Sequence, residues 1–132
     1  MFDKFSVSTP ARVCMISIDN EVEGIIKKSG IQNGICVIYV PHTTAGVTIN
    51  EGADPAVMSD IIDCLNKLIP SHGNYRHMEG NSDAHIKTSL IGASEHIIIE
   101  EGKPVRGTWQ KLFFCEFDGP RNRQVYVKVI GE

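Results

Sequence analysis

The sequence predicts an α+β fold: mostly antiparallel sheets forming a sandwich or partly closed barrel, with two to three helices. Two observations carry this. Strand-like stretches come in runs, in the order β-β-α-β-β-α-α-β-β-β, instead of alternating one for one with helices. Apolar residues also alternate in several of these stretches, as at Val125, Val127 and Val129, whereas the helical ones recur at helical spacing. The 132 residues make a single domain over 1–132. A chain of this length buries roughly two-thirds of the surface it exposes when unfolded.

Phe5, Val7 and Thr9 alternate and Pro10 closes the segment, which reads as an edge-type strand. Arg12 to Ile18 is a second strand. Asn20 then opens a helix, with Glu23 placed for a capping box and Val22, Ile25 and Ile26 as its apolar stripe. Lys27, Lys28 and Gly30 end it. Gly34 to Val40 is continuously apolar and reads as a central strand buried on both faces. Val47-Thr48-Ile49 is a short strand. Asp54 and Pro55 cap a helix whose inner face is Val57, Met58, Ile61, Ile62, Leu65, Leu68 and Ile69, with Pro70 as its stop. Ser71 to Gly80 is a polar loop leading to Asn81 and Ser82, which are preferred N-caps for a third helix. Ile86 and Leu90 recur at i, i+4 along that helix and Gly92 ends it. Strands follow over Glu95 to Glu100, Thr108 to Phe117 and Gln124 to Ile130.

The composition excludes several classes. A hydrophobic share of 42% with 22% charged residues is that of a globular chain without a disordered segment. The net charge of −3 speaks against nucleic acid as a partner. No apolar run approaches the ~20 residues of a membrane span, so no membrane partner is expected. The start lacks signal-peptide features, and Cys14, Cys36, Cys64 and Cys115 form no C-x-x-C pair. A cytoplasmic location with four free thiols is the expectation.

The richest chemistry lies in Tyr75 to Lys87, which holds His77, Glu79, Asn81, Ser82, Asp83, His85 and Lys87. A loop that enters a helix here exposes unpartnered N–H groups, which suit an anion. On that helix His85 shares a small, polar face with Asn81 and Ser89. The loop His42-Thr43-Thr44-Ala45-Gly46 adds an imidazole, two hydroxyls and a glycine that permits close backbone approach. Arg121 and Arg123 flank Asn122 at a turn, where guanidinium groups fit phosphate in a fork. Trp109, beside Gln110, could stack on a planar ring, although a sole tryptophan is more often core. His42, His77 and His85 make three imidazoles, the ligand number of one type of catalytic zinc, but no H-x-x-x-H spacing supports a metal. His72 and His96 lack polar company. Cys36, Cys64 and Cys115 lie inside regular elements, which speaks against thiolate catalysis.

Three stretches together resemble the YjbQ family. They are Pro41 to Pro55; Asn81 to Lys87; and Gly107-Thr108-Trp109-Gln110 with Glu116 to Arg121. The likeness covers nearly the whole chain, and its departures, such as Ala56 and Ile86, fall at positions without polar chemistry. The resemblance implies an α+β fold, a homotrimer and a secondary thiamine-phosphate synthase activity, with the polar signatures converging on one pocket near the trimer contacts.

That activity joins an aminopyrimidine diphosphate to a thiazole phosphate and expels pyrophosphate. The roles it implies are acid–base work for His77 and His85, and orientation of the aminopyrimidine or a metal by Glu51 or Asp83. Phosphate and ring binding fall to His42, Thr43, Thr44, Asn50, Asn81, Lys87, Trp109, Gln110 and Arg121, with Mg²⁺ assisting. At this length the chain cannot be the TIM barrel usual for the reaction, which needs about 250 residues. Two alternatives stand beside it. One is a Zn²⁺-dependent hydrolase using His42, His77 and His85. The other is a non-catalytic module that binds a small phosphorylated metabolite.

Overall fold

The computed structural model describes residues 1–132 and is α+β, with three helices and two antiparallel sheets. The elements are β1 (Phe2–Ser8), β2 (Cys14–Ser17), α1 (Asp19–Ser29), β3 (Gly34–Tyr39), β4 (Ala45–Glu51), α2 (Pro55–Leu68), α3 (Ser82–Ile91), β5 (Ser94–Glu100), β6 (Lys103–Pro104), β7 (Gln110–Glu116) and β8 (Asn122–Gly131). The order matches the sequence expectation apart from β6, a two-residue strand in the Glu101 to Pro104 connection.

One sheet has the order β1-β8-β3-β5-β6 and the other β2-β7-β4. The main core lies between them. Val125, Val127 and Val129 of β8 meet Leu112 and Phe114 of β7, and α1 closes one end with Val22, Ile25 and Ile26. The alternate residues of β7, Phe113 and Cys115, point the other way with Phe117 into a smaller core under α2 and α3. Period-two patterning thus makes β7 a shared wall, apolar on both faces.

Two helix expectations need correction, at α1 and α2, and the packing of α3 adds a feature the pattern does not carry. At α1 the helix starts at Asp19, and no side chain caps it. Glu23 pairs with Arg106 instead of closing a capping box, and Asp19 pairs with the same guanidinium. The expected inner face of α2 is only partly inner: Met58 and Leu65 pack on the small core and Ile69 beyond its end is buried, but Leu68 is 72% exposed. On α3 the exposed side carries Ile86 and Leu90, while Ser82, Asp83, Ala84, Lys87 and Thr88 face inward. The inner face of this helix is polar because it carries a buried ion network, which a hydrophobic pattern cannot reveal.

Candidate functional site

Strands β3 and β7 end on the same side of the sandwich, so the loops that follow them are neighbours. The Phe117 N–H donates to the Thr44 carbonyl at 3.1 Å, tying the two loops together. Gly119 sits so close to Ala11 that a Cβ there would come within 2.3 Å of the Ala11 carbonyl oxygen, so only glycine fits this turn. The start of α3 completes the enclosure, since Asn81 Nδ2 donates to Asp118 Oδ2 at 2.8 Å.

Between these loops lies a cavity of about 480 Å³ with no hydrophobic residue in its lining. It brings together His42, Thr43 and Thr44, then His77, Asn81 and His85, then Arg121, from three stretches far apart in sequence. Glu79, Asp118 and Arg123 also line it, the two carboxylates standing outside the catalytic and ligand-binding sets expected from the sequence.

Its floor is a buried ion pair. Arg123 Nε donates to Glu116 Oε1 at 2.8 Å, its Nη2 pairs with Oε2, and Nη2 also reaches Thr44 Oγ1 at 2.8 Å. Glu116 has no exposed surface and further accepts from Thr9 Oγ1 and from the Phe117 and Asp118 N–H groups. Burial opposes its ionisation, but the Arg123 bonds and these N–H groups outweigh that and hold the carboxyl below its usual range. A legible signal existed: a carboxylate inside Leu112-Phe113-Phe114-Cys115-Glu116-Phe117 must be paired.

His42 is oriented by a backbone bond. Its Nε2 accepts the Gln124 N–H at 3.0 Å, so the neutral ring carries its proton on Nδ1. Burial, and then the nearby Arg123 charge, lower its pKa. His42 is therefore a neutral donor near pH 7. That arrangement fits a phosphate oxygen better than zinc, because a metal would need a lone pair from a ring whose Nε2 is already engaged. The rings of His77 and His85 meet edge to face with centroids 5.3 Å apart, and His77 Nε2 lies 3.9 Å from Glu79 Oε1. No three His, Cys, Asp or Glu side chains are gathered at metal-ligand spacing.

Arg121 stands at the rim with its side chain 53% exposed. Its Nε donates to the Asp118 carbonyl at 2.8 Å and Nη2 to Asp118 Oδ2 at 3.1 Å, leaving Nη1 for a ligand. Both arginines thus have acid partners, so the cavity offers oriented donors more than net positive charge. Asn81 Oδ1 is buried in its wall without a partner.

Six expected residues lie elsewhere. Asp83 is fully buried, gripped by Arg12 Nη1 and Nη2 at 3.1 and 3.0 Å and by Lys87 Nζ at 3.2 Å. Burial raises the pKa of this carboxyl, and the Arg12 and Lys87 bonds more than reverse that, leaving it below the usual range. Lys87 is itself 1% exposed and bonds Asn66 Oδ1 at 2.7 Å. Both residues hold α3 in place and do not reach the cavity. Glu51, Asn50, Trp109 and Gln110 lie at the far end of the β4–β7 ladder. Ala45 pairs with Glu116 beside the cavity, whereas Glu51 pairs with Gln110 at the other end, about 20 Å away at the usual strand rise. Trp109 is 62% exposed, neither core nor part of this cavity. Thiolate chemistry finds no support: burial pushes the Cys36 thiol up to about 11, and Cys64 is exposed on α2 outside the cavity.

Known proteins match this chain along its length. The family model for UPF0047 protein YjbQ-like matches residues 3–132. UPF0047 protein MJ1081 of Methanocaldococcus jannaschii is 55% identical over 132 residues, covering 100% of this chain and 96% of that protein. UPF0047 protein YugU of Bacillus subtilis is 48% identical, covering 99% and 100%. A crystal structure of an uncharacterized conserved yjbq/upf0047 family protein from Clostridium acetobutylicum superposes with a TM-score of 0.96 at 52% identity, covering 97% of this chain and 99% of that one. A YbjQ-like protein of unknown function from Sulfolobus solfataricus gives 0.96 at 38% identity, covering 100% and 97%. With matched signatures, matched fold and near-complete coverage in both directions, the chain belongs to the YjbQ-like UPF0047 family.

Proposed function

We propose that the cavity binds a phosphorylated small metabolite and that the protein has thiamine-phosphate synthase-type activity. In this reaction the bond from the aminopyrimidine methylene to its diphosphate breaks, the electrons leave with pyrophosphate, and the thiazole ring nitrogen forms the new bond to the methylene. One observation carries the reading: three distant stretches meet in a single cavity without apolar lining, rich in oriented hydrogen-bond donors.

Charge gathers on the leaving diphosphate. His42 Nδ1–H, the Thr43 hydroxyl and Arg121 Nη1 are the donors available to it. Each donor fixed where charge develops is typically worth ~2.7–4 kcal/mol. His77 and His85 line the same cavity, where an imidazole N–H would donate to the departing diphosphate. Mg²⁺, when bound, neutralises diphosphate charge; of the two cavity carboxylates, Asp118 is engaged by Arg121 and Asn81, so Glu79 would hold the ion alongside the phosphate oxygens.

A homotrimer belongs to the same proposal. The apolar stripe of α2 has no buried residue, and Leu68, Ile86 and Leu90 stand exposed on the helical layer. A second copy seated on this layer would cover these side chains.

Purified protein incubated with both phosphorylated precursors and Mg²⁺ is expected to form thiamine phosphate, and an Arg121→Ala, His85→Ala double variant is expected not to. Wild-type product no higher than that of the double variant contradicts the activity. Thermal stabilisation by either precursor without turnover would instead identify a binding module.

A further inference from the structure

His77 and His85 line two hollows. The loop before α3 and the first turn of that helix also border a second, open hollow of about 500 Å³, lined besides by Tyr75, Arg76, Ser82 and Ile86. Each hollow is within the size range of small-molecule sites, about 300–1,000 Å³. Their chemistry differs. The first has no hydrophobic lining residue, whereas the second presents an aromatic ring and an aliphatic side chain.

That ring is fixed before any ligand arrives. The Tyr75 hydroxyl donates to the Pro70 carbonyl at 2.6 Å. Gly73 packs against the ring so closely that a Cβ would stand 2.9 Å from Tyr75 Cζ. An aromatic side chain held at its tip and along one side, in an otherwise polar loop, is a preformed surface for a planar group. A second observation lies on the same wall: the Ser82 hydroxyl is buried and has no hydrogen-bond partner, although buried hydroxyls are ordinarily paired. That hydroxyl is sealed off as it stands, and a turn of the Ser82 side chain to another rotamer would bring it to a polar substituent on a ligand ring.

We propose that this second hollow takes the planar ring of a metabolite whose phosphate sits in the first, with the His77–His85 pair bordering both. This rests on the phosphate reading above. It assigns the ring to Tyr75, Ser82 and Ile86, and not to Trp109.

Calorimetric titration with phenyl phosphate, ethyl phosphate and inorganic phosphate separates the two hollows. Wild-type protein is expected to prefer phenyl over ethyl phosphate. Tyr75→Ala is expected to remove that preference, weakening phenyl phosphate about two- to tenfold, the value of one aromatic pair, with inorganic phosphate unchanged. Ile86→Trp, which fills the hollow from its exposed edge, is expected to exclude phenyl phosphate while sparing inorganic phosphate. Arg121→Ala is expected to weaken all three. If Tyr75→Ala and Ile86→Trp weaken the three ligands alike, or leave phenyl phosphate untouched, the ring site is wrong and the phosphate site stands. If wild type binds none of them, both fall.

Discussion

His42 and Arg123 stand at different depths of one wall, and each yields a test. With Nε2 accepting the Gln124 N–H and the Arg123 charge nearby, the His42 ring is expected to titrate below the ordinary value near ~6.5 and to show the Nδ1–H tautomer in nitrogen-15 spectra. Because its folded pKa is the lower one, its contribution to stability is complete above about 6.5 and is lost as pH falls from there through the folded value. A ring that titrates above 6.5 contradicts the assignment. Arg123 is 5% exposed and Glu116 has no exposed surface, so Arg123→Ala leaves a buried carboxylate without its cation. Urea unfolding is expected to show a loss of about 3–5 kcal/mol, with much of it recovered in an Arg123→Met, Glu116→Leu double variant. A single variant within 1 kcal/mol of wild type, on the order of an exposed pair, would count against the buried floor.

At the scale of elements, α3 is legible in its N-terminal stretch and illegible in its packing. Its N-terminal stretch was readable as a polar site, because N-cap residues and two histidines announce a loop entering a helix. Its packing was not. Ile86 and Leu90 have the spacing of a buried stripe, yet the buried side is Asp83, Ala84, Lys87 and Thr88, since Arg12 arrives from the segment before β2 to complete an ion network. No local pattern predicts a partner 71 residues away. Asp83→Asn is expected to destabilise the fold by about 3–5 kcal/mol, because two cations lose their buried acid. It should also weaken phosphate binding through displacement of Asn81 and His85, though Asp83 touches no ligand. Asp83 and Glu116 both have depressed folded pKa values, so their stabilisation is full above the unfolded carboxyl value near ~4 and disappears as pH falls through the lower folded values. Acid unfolding of Asp83→Asn should therefore be shallower than that of wild type.

For the whole molecule, the α+β class and nearly every strand are legible, since the alternation in β8 marks a strand with one inner face and the unbroken apolar run of β7 marks one buried on both. What sequence could not supply was the direction of delivery. Thr43 and Glu51 lie at the two ends of β4, so residues close in sequence were grouped although a strand separates them. The stripe of α2 has the opposite lesson: Met58 and Leu65 meet the small core while Leu68, in the same pattern, does not. Leu68 is 72% exposed, so Leu68→Glu should change the stability of an isolated chain little. In a trimer the same change should dissociate it. Light scattering after gel filtration is expected to give three times the 14.6 kDa chain mass for wild type and a smaller species for the variant. A wild-type monomer would remove the trimer.

Three distant stretches converge on one hollow, and the proposal that it binds phosphate is tested most directly by adding pyrophosphate to isotope-labelled protein and following its amide and imidazole resonances. Saturable shifts are expected at residues 42–44, 77–85 and 118–123 together, and they should vanish in Arg121→Ala. Shifts confined to another face, or none that saturate, would contradict the account.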